Sequence, residues 1–164
     1  MVSRTRDKTE PSQADAYRVW AVMGQVNDGL VRIRDKEVRP LGVSAAQIAL
    51  LQVLLTMHRR GMPARPSELS RWLYREHSTI MSLLSRMEKD GLVRLVRSSS
   101  GRRQVLVEAT DKAREVTRRD MERTMAMQKV LGRLSVRERS QLESILEKLR
   151  KATFEELSEE PPYP

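Results

Sequence analysis

Residues 65–110 constrain the fold more than any other stretch of the chain, because four elements follow one another there without a gap. A short helix that starts near Pro66 is followed by a turn, by a second helix over residues 77–90 and by two strand-like segments. Gly91 stands between the second helix and the first strand, where glycine readily ends a helix in a left-handed conformation. This order predicts a winged helix-turn-helix, a fold whose second helix enters the major groove of duplex DNA.

The helix predicted over residues 77–90 separates apolar from polar side chains. One side carries a stripe with the i, i+3, i+4, i+7 spacing of a buried face, and the other carries small hydroxyls and cations suited to a major groove. A helix face that is merely solvated has a similar composition, but the wing that follows favours DNA. The apolar stripe consists of Ile80, Leu83, Leu84 and Met87. The residues of this helix predicted to contact DNA are His77, Ser78, Thr79, Met81, Ser82, Ser85, Arg86 and Lys89.

Two strand-like segments after this helix predict the wing. Apolar and polar residues alternate over residues 92–97 and again over residues 104–108, as in a two-stranded hairpin. Three arginines flank the hairpin tip, and guanidinium groups on a projecting loop are suited to phosphates or to a minor groove. The alternative is a solvent-exposed hairpin that binds nothing. The wing residues predicted to contact DNA are Arg97, Arg102 and Arg103.

Positive charge is concentrated in this same region. The whole chain has a formal net charge of +9, which attracts polyanions but does not distinguish DNA from RNA or from an anionic membrane. Residues 59–119 contain 15 Lys and Arg against 7 Asp and Glu. Acidic residues gather instead near the C-terminus, at Glu155, Glu156, Glu159 and Glu160.

Several chemistries are excluded by what the sequence does not contain. The chain has no cysteine, so disulfides, thiolate zinc sites and cysteine-based oxidant sensing are impossible. Its two histidines are His58 and His77, and no metal or other cofactor is predicted. A Gly-rich phosphate loop, an HExxH sequence and a nucleophile elbow are missing, so no enzyme activity is expected. No apolar run approaches the roughly 18 residues of a membrane span, and the charged N-terminus does not look like a signal peptide, which together predict a soluble cytoplasmic protein.

Two helix starts can be predicted from capping boxes. Ser44 with Gln47 and Ser135 with Glu138 both have the three-residue spacing of this motif. In a capping box each of the two side chains accepts a hydrogen bond from the other residue's backbone N–H. The two pairs predict helices that begin immediately after Ser44 and Ser135.

The helices that flank the winged region predict a homodimer. A helix over about residues 14–35 carries apolar residues over a broad part of its circumference. Thr110 can cap a long helix over residues 111–131. A single winged module cannot bury these helices, so an isologous two-fold dimer is the simplest arrangement. Two recognition helices related by a dyad lie about 34 Å apart on DNA and select an inverted repeat.

The predicted fold class is therefore mostly α with a small β-hairpin wing (α+β), a winged helix-turn-helix with N- and C-terminal dimerisation helices. The predicted organisation is a flexible arm (1–12), an N-terminal dimerisation helix (13–43), a winged helix-turn-helix DNA-binding domain (44–112), C-terminal dimerisation helices (113–157) and a tail (158–164).

Four short runs of sequence carry a resemblance to a known family. They are Leu69 to Leu73, Ser78-Thr79-Ile80, Arg86-Met87-Glu88-Lys89-Asp90-Gly91-Leu92-Val93, and Arg102-Arg103 with Val107 and Thr110. In this order and spacing the chain resembles the MarR family of bacterial transcription regulators over about residues 14–157. The resemblance implies a homodimer with a pocket between the dimerisation helices and the DNA-binding module. It also implies that phenolic or other small aromatic molecules bind there and change the spacing of the two DNA-binding modules of the dimer.

Two places depart from the family pattern where the family meets DNA. Gly101 stands where the wing usually has an aspartate, so the acid–arginine pair that would orient the wing cannot form, and a looser wing is expected. Met81 and Ser82 stand where a threonine and an arginine are common, which removes one guanidinium able to bind guanine. The operator sequence therefore cannot be copied from relatives.

The function predicted from the sequence is a double-stranded DNA-binding transcription regulator, a repressor acting as a homodimer on an inverted repeat and relieved by a small aromatic ligand. The alternative is an architectural dimer that binds DNA without reading its sequence and without a ligand response. Six residues are candidates for the ligand pocket, and the alternative interpretation is that each belongs to the ordinary hydrophobic core. They are Trp20, Met23, Met57, His58, Trp72 and Met121.

Overall fold

The structure, a computed structural model, describes residues 10–97, 104–123 and 126–159. The predicted arm, the wing tip with Arg102 and Arg103, and the end of the tail lie mostly or wholly outside these residues. Within them the chain is helical apart from one hairpin, as the sequence predicted. The elements are α1 (Gln13–Val38), a 3₁₀ turn (Arg39–Leu41), α2 (Ala45–Arg59), α3 (Pro66–Leu73), α4 (His77–Lys89), β1 (Val93–Arg97), β2 (Val105–Ala109), α5 (Asp111–Met121), α6 (Ala126–Leu131) and α7 (Val136–Glu156).

Both predicted capping boxes are present. The Ser44 side chain accepts from the Gln47 N–H while the Gln47 side chain accepts from the Ser44 N–H, and α2 begins at the next residue. Ser135 and Glu138 make the same reciprocal pair at the start of α7. The Thr110 side chain caps α5 by accepting from the Ala113 N–H. Hydrogen-bonding side chains at these positions satisfy N–H groups that a helix start otherwise leaves unpaired.

The wing is an antiparallel pair of strands joined tightly to the helix before it. Val93 pairs with Ala109 and Arg97 with Val105, which fixes the register of β1 and β2. Gly91 ends α4 with φ of 70°, and the Leu92 N–H returns to the Met87 carbonyl. Such a left-handed C-cap needs a residue without a Cβ penalty. Helix and strand are therefore separated by only three residues, close to the two-residue transition that the sequence predicted.

One hydrophobic core unites the helices of the winged region with its hairpin. The four stripe residues of α4 predicted to be buried are buried. They belong to the same cluster as apolar side chains from α2, α3, the hairpin and the first two turns of α5. The largest fully buried side chains are Ile48, Leu50, Leu51, Leu54, Met57, Leu69, Ile80, Leu84, Met87, Leu92, Val38 and Val93.

The predicted single helix over residues 111–131 is wrong. α5 ends at Met121, and α6 begins again at Ala126. The break follows Asp120, whose carboxylate is held by Arg34 of α1, while the Ala126 N–H donates to the Glu37 carboxylate. Side chains of α1 thus hold both sides of the break.

α1 and α7 leave large apolar side chains uncovered. Within α7, all of whose residues are described, Phe154 is the one buried residue. α1 is likewise buried only at Val38. The exposed apolar side chains of the two helices include Tyr17, Val19, Trp20, Val22, Met23, Val26, Val31, Val136, Leu142, Ile145, Leu146 and Leu149.

No single helix among the described residues is long and apolar enough to cross a membrane. Residues 13–41 and α2 satisfy the length and composition only as a pair, and they meet at an angle of 80°.

Candidate DNA interface

The solvent-facing side of α4 carries the side chains that the sequence predicted to contact DNA. All eight predicted residues of this helix are exposed, and Met81, the one large apolar side chain among them, is 37% exposed. The Arg86 Nε–H donates to the Ser82 carbonyl at 3.4 Å, so the guanidinium lies along the outer face. Arg97 is also exposed, at the end of β1. The arrangement offers hydroxyls, one imidazole and two cations on a single helical face.

The C-terminal end of α4 is fixed to two other helices through Asp90. The Gln47 side-chain amide donates to the Asp90 carboxylate at 2.9 Å, and Lys112 Nζ donates to the Asp90 carbonyl at 2.6 Å. Gln47 is buried and also belongs to the α2 capping box. A buried polar side chain with its partners in place restricts motion of the elements that it joins. The outer face of α4 is consequently presented by a rigid support.

A carboxylate also joins α4 to the wing. Glu88 Oε1 accepts from the Leu95 N–H of β1 at 3.0 Å. On the other side of the hairpin, the Val107 N–H donates to the Ala64 carbonyl at 2.8 Å. The two strands are therefore held both by α4 and by the segment that precedes α3.

The turn between α3 and α4 has an unusual backbone that the sequence did not reveal. Tyr74 adopts φ of 48° and ψ of 55°, in the left-handed region, which is uncommon for a residue other than glycine. The Arg75 N–H donates to the Ser70 carbonyl, and the Ser70 hydroxyl donates to the Arg75 carbonyl. These hydrogen bonds close the turn and set the direction in which α4 begins.

The Tyr74 side chain contacts Phe154 of α7 and Glu159, which follows α7. Its ring meets the Phe154 ring edge-on, with centroids 4.9 Å apart, and its hydroxyl donates to Glu159 Oε2 at 3.2 Å. Partial desolvation, together with the hydrogen bond and the charge of Glu159, raises the pKa of Tyr74 above its ordinary value. No local sequence pattern signalled this contact, because its partners are far from Tyr74 along the chain.

A recess of about 630 Å³ lies between α2 and α5. It brings together only two of the six predicted pocket residues, His58 and Met121. Met57 is fully buried in the core, and Trp72 is 9% exposed beneath the Arg60 guanidinium. The other two, Trp20 and Met23, lie on the exposed face of α1. The residues that line the recess are Gln52, Leu55, Thr56, His58, Arg59, Arg114, Thr117 and Met121.

A partly buried ion pair borders this recess and joins α1 to the winged region. The Asp120 side chain is 3% exposed and pairs with Arg34, which is 14% exposed. Gln52, which lines the recess, donates to the same carboxylate at 3.4 Å. Arg34 also contacts Glu37 at 3.3 Å. The polar junction therefore connects three helices at the edge of the recess.

Residues outside the predicted set also lie on the surface around α4. Arg71 and Arg75 are exposed beside the turn that precedes α4. No sequence pattern sets these two residues apart, since arginines are common on any solvent-exposed surface. Their position next to the start of α4 appears only in the folded chain.

Residues 43–113 match the family described as a winged helix DNA-binding domain. The chain is similar to this family over that segment. The match spans the helix-turn-helix and both strands of the wing, so the predicted fold is confirmed on the segment that carries the geometry above.

The resemblance to MarR-family regulators is confirmed over most of the chain. The chain is 25% identical over 154 residues to the HTH-type transcriptional regulator PecS of Dickeya dadantii, covering 92% of this chain and 91% of PecS. The fold matches the organohalide-sensing regulator RdhR-CbdbA1625 bound to 2,4-dichlorophenol, with a TM-score of 0.75, 22% identity and coverage of 93% and 90%. It also matches a point mutant of E. coli MarR in complex with operator DNA, with a TM-score of 0.71, 22% identity and coverage of 80% and 93%.

Proposed function

We propose that the protein is a homodimeric transcription regulator that reads the sequence of duplex DNA, acts as a repressor and is relieved by a small aromatic ligand. The observation that carries the proposal is the exposed polar face of α4, which lies over a buried apolar stripe in a winged helix DNA-binding domain. Serines and arginines on such a face can hydrogen-bond base edges in the major groove. The anchoring of α4 at Asp90 supports a fixed reading geometry.

The uncovered faces of α1 and α7 support the homodimer. Trp20 is 67% exposed and Ile145 is 53% exposed, in rows of apolar side chains along both helices. Burial of such rows against a second copy removes their apolar area from water. A two-fold dimer then presents two reading helices, and the preferred site becomes an inverted repeat.

The recess between α2 and α5 supports the proposal of a small-molecule effector. It combines the apolar side chains Leu55 and Met121 with the imidazole of His58 and the guanidinium groups of Arg59 and Arg114. An apolar pocket with a few polar groups is the usual form of a small-molecule site, and this set suits a flat ring that carries a phenolate or carboxylate. The recess borders the Arg34–Asp120 pair, so a bound molecule there can alter the angle between α1 and the winged region.

Selection of tight-binding duplexes from a random pool tests the proposal. An inverted repeat preferred over a scrambled duplex by about a thousandfold at the same moderate salt concentration supports a sequence-reading dimer. Affinity should fall steeply as salt rises, because each neutralised phosphate releases condensed counterions. No enrichment favours the alternative, an architectural dimer that binds DNA without reading sequence.

Substitutions on α4 distinguish sequence-specific recognition of DNA from non-specific electrostatic binding. Arg86→Ala should change the order of preference among related duplexes, since a lost base contact costs about 1–3 kcal/mol only at the base concerned. Arg18→Ala is the charge-matched control, because Arg18 is an exposed arginine on α1, outside the winged helix. Equal weakening of all duplexes by both substitutions would contradict sequence reading.

A further inference from the structure

The chain folds back on itself directly after α7. Leu157 caps the helix, and Ser158 adopts φ of 54°, a left-handed conformation. The Glu159 N–H then donates to the Phe154 carbonyl at 3.0 Å. This reversal brings the Glu159 carboxylate to the same side as the Phe154 ring.

Phe154 and Glu159 both meet the turn that precedes α4. Phe154 is 8% exposed although the rest of α7 is largely solvated, and its ring packs on Tyr74. Glu159 accepts a hydrogen bond from the Tyr74 hydroxyl. An aromatic pair and a charged hydrogen bond at one residue indicate a defined contact.

Glu159 lies in a recess whose other walls come from α3, the turn and the start of α4. The recess has a volume of about 440 Å³ and brings the carboxylate together with the cationic side chains of Arg71 and Arg75 and with the imidazole of His77. Glu76 supplies one further carboxylate. In a helix-turn-helix the first helix crosses the DNA backbone and the start of the second helix enters the groove. In a chain that binds DNA in this way, the walls of this recess lie beside the DNA backbone.

We propose that the C-terminal segment, residues 154–159, is an internal competitor of DNA. Phe154 anchors the segment on Tyr74, and the Glu159 carboxylate occupies the place of one backbone phosphate beside Arg71 and Arg75. DNA binding displaces Glu159, so the segment lowers the affinity of the winged helix for every duplex without changing its sequence preference. This inference rests on the proposed DNA binding.

The test compares two variants that each remove one negative charge from the full-length protein. Glu159→Gln removes the charge in the recess, whereas Glu156→Gln removes an exposed charge that does not line it. The Kd for the selected duplex and for a scrambled duplex is measured between about 50 and 200 mM salt. Glu159→Gln should lower both Kd values and should steepen the dependence of log Kd on log salt by about 0.9, the contribution of roughly one phosphate contact. The factor by which Kd falls should therefore be about threefold larger at 50 mM than at 200 mM salt.

Glu156→Gln should leave the salt dependence close to that of the unsubstituted protein. Tyr74→Phe keeps the Glu159 charge but removes its hydrogen-bond donor, so it should also lower Kd, by less than Glu159→Gln. Equal effects of Glu159→Gln and Glu156→Gln, or no effect of Glu159→Gln, would contradict the proposal that residues 154–159 compete with DNA. Either result would leave the proposed DNA binding intact. Absence of DNA binding by the unsubstituted protein and by all variants would overturn the proposed function together with this inference.

Discussion

The winged region and its flanking helices are built from similar residues but reach different degrees of burial. α2 buries Ile48, Leu50, Leu51 and Leu54 almost completely. α7 has Leu142, Ile145, Leu146 and Leu149 at helical spacing, and each of them is at least 37% exposed. The number of apolar residues on a helix therefore does not tell whether one chain can cover them.

The difference shows which part of the chain is complete on its own. The core of the winged region is closed by side chains from α2 to α5 and the hairpin, together with Val38 at the end of α1. The rest of α1 and most of α7 have no comparable cover among the described residues. Rows of exposed apolar side chains such as those on α1 and α7 are typical of an interaction surface. Matched substitutions in the two regions can test this division.

The largest effect is expected in the core of the winged region. Leu54→Ala removes a fully buried side chain and should lower the free energy of unfolding by about 3–5 kcal/mol, because a cavity remains. Leu146→Ala is the same substitution on α7, where Leu146 is 45% exposed. Its main effect should be on dimer dissociation, and its effect on stability should depend on protein concentration. Urea unfolding at two protein concentrations and sedimentation equilibrium measure both quantities; a large, concentration-independent loss for Leu146→Ala would contradict the division.

The next effect concerns the junction between the two regions. Asp120→Ala leaves the half-buried Arg34 guanidinium with Glu37 as its remaining ion-pair partner and should cost about 3 kcal/mol of unfolding free energy. Glu147→Ala provides the exposed counterpart, because its pair with Arg150 on α7 lies at the surface, and it should cost at most about 1 kcal/mol. Equal costs in thermal or chemical unfolding would show that the junction adds nothing beyond a surface ion pair.

The smallest effect is expected at the two capping boxes, which are chemically alike but lie in different regions. Ser44→Ala should lower the free energy of unfolding by about 1 kcal/mol, because an N–H at the start of α2 loses its acceptor. Ser135→Ala removes the same hydrogen bond from α7. If α7 is held chiefly by a second copy, this substitution weakens the dimer by a similar amount and leaves the winged region unchanged in hydrogen exchange. If Ser135→Ala instead lowered the protection of amides from hydrogen exchange throughout the winged region, the division between the two regions would be contradicted.

Local signals in the sequence predicted the elements well. Both capping boxes, the left-handed Gly91 and the buried stripe of α4 depend on residues within a few positions of one another. The eight residues of α4 predicted to contact DNA are all exposed, since the face of a helix follows from its spacing alone. Their contact with DNA, the assignment of Arg102 and Arg103, and the domain boundaries stay predictions.

Features that depend on distant residues could not be predicted. On the two sides of the break after α5, Asp120 and Ala126 bind Arg34 and Glu37 of α1, which lie 86 and 89 positions away. The contact of Tyr74 with Glu159 spans 85 positions. The six predicted pocket residues shared an apolar or polarisable character, but the fold distributes them over the core, the recess and the surface of α1. Residue type indicates what can line a pocket, whereas only the tertiary structure decides which residues meet.

The hydrogen bond from the Leu95 N–H to Glu88 also bears on how the winged region moves. Glu88 belongs to α4 and Leu95 to the wing, and the Leu92–Met87 and Val107–Ala64 hydrogen bonds tie the same hairpin to α4 and to the segment before α3. A force that displaces the hairpin is therefore passed directly to α4. The two elements should move as one body, so the distance between the exposed face of α4 and the base of the wing stays constant.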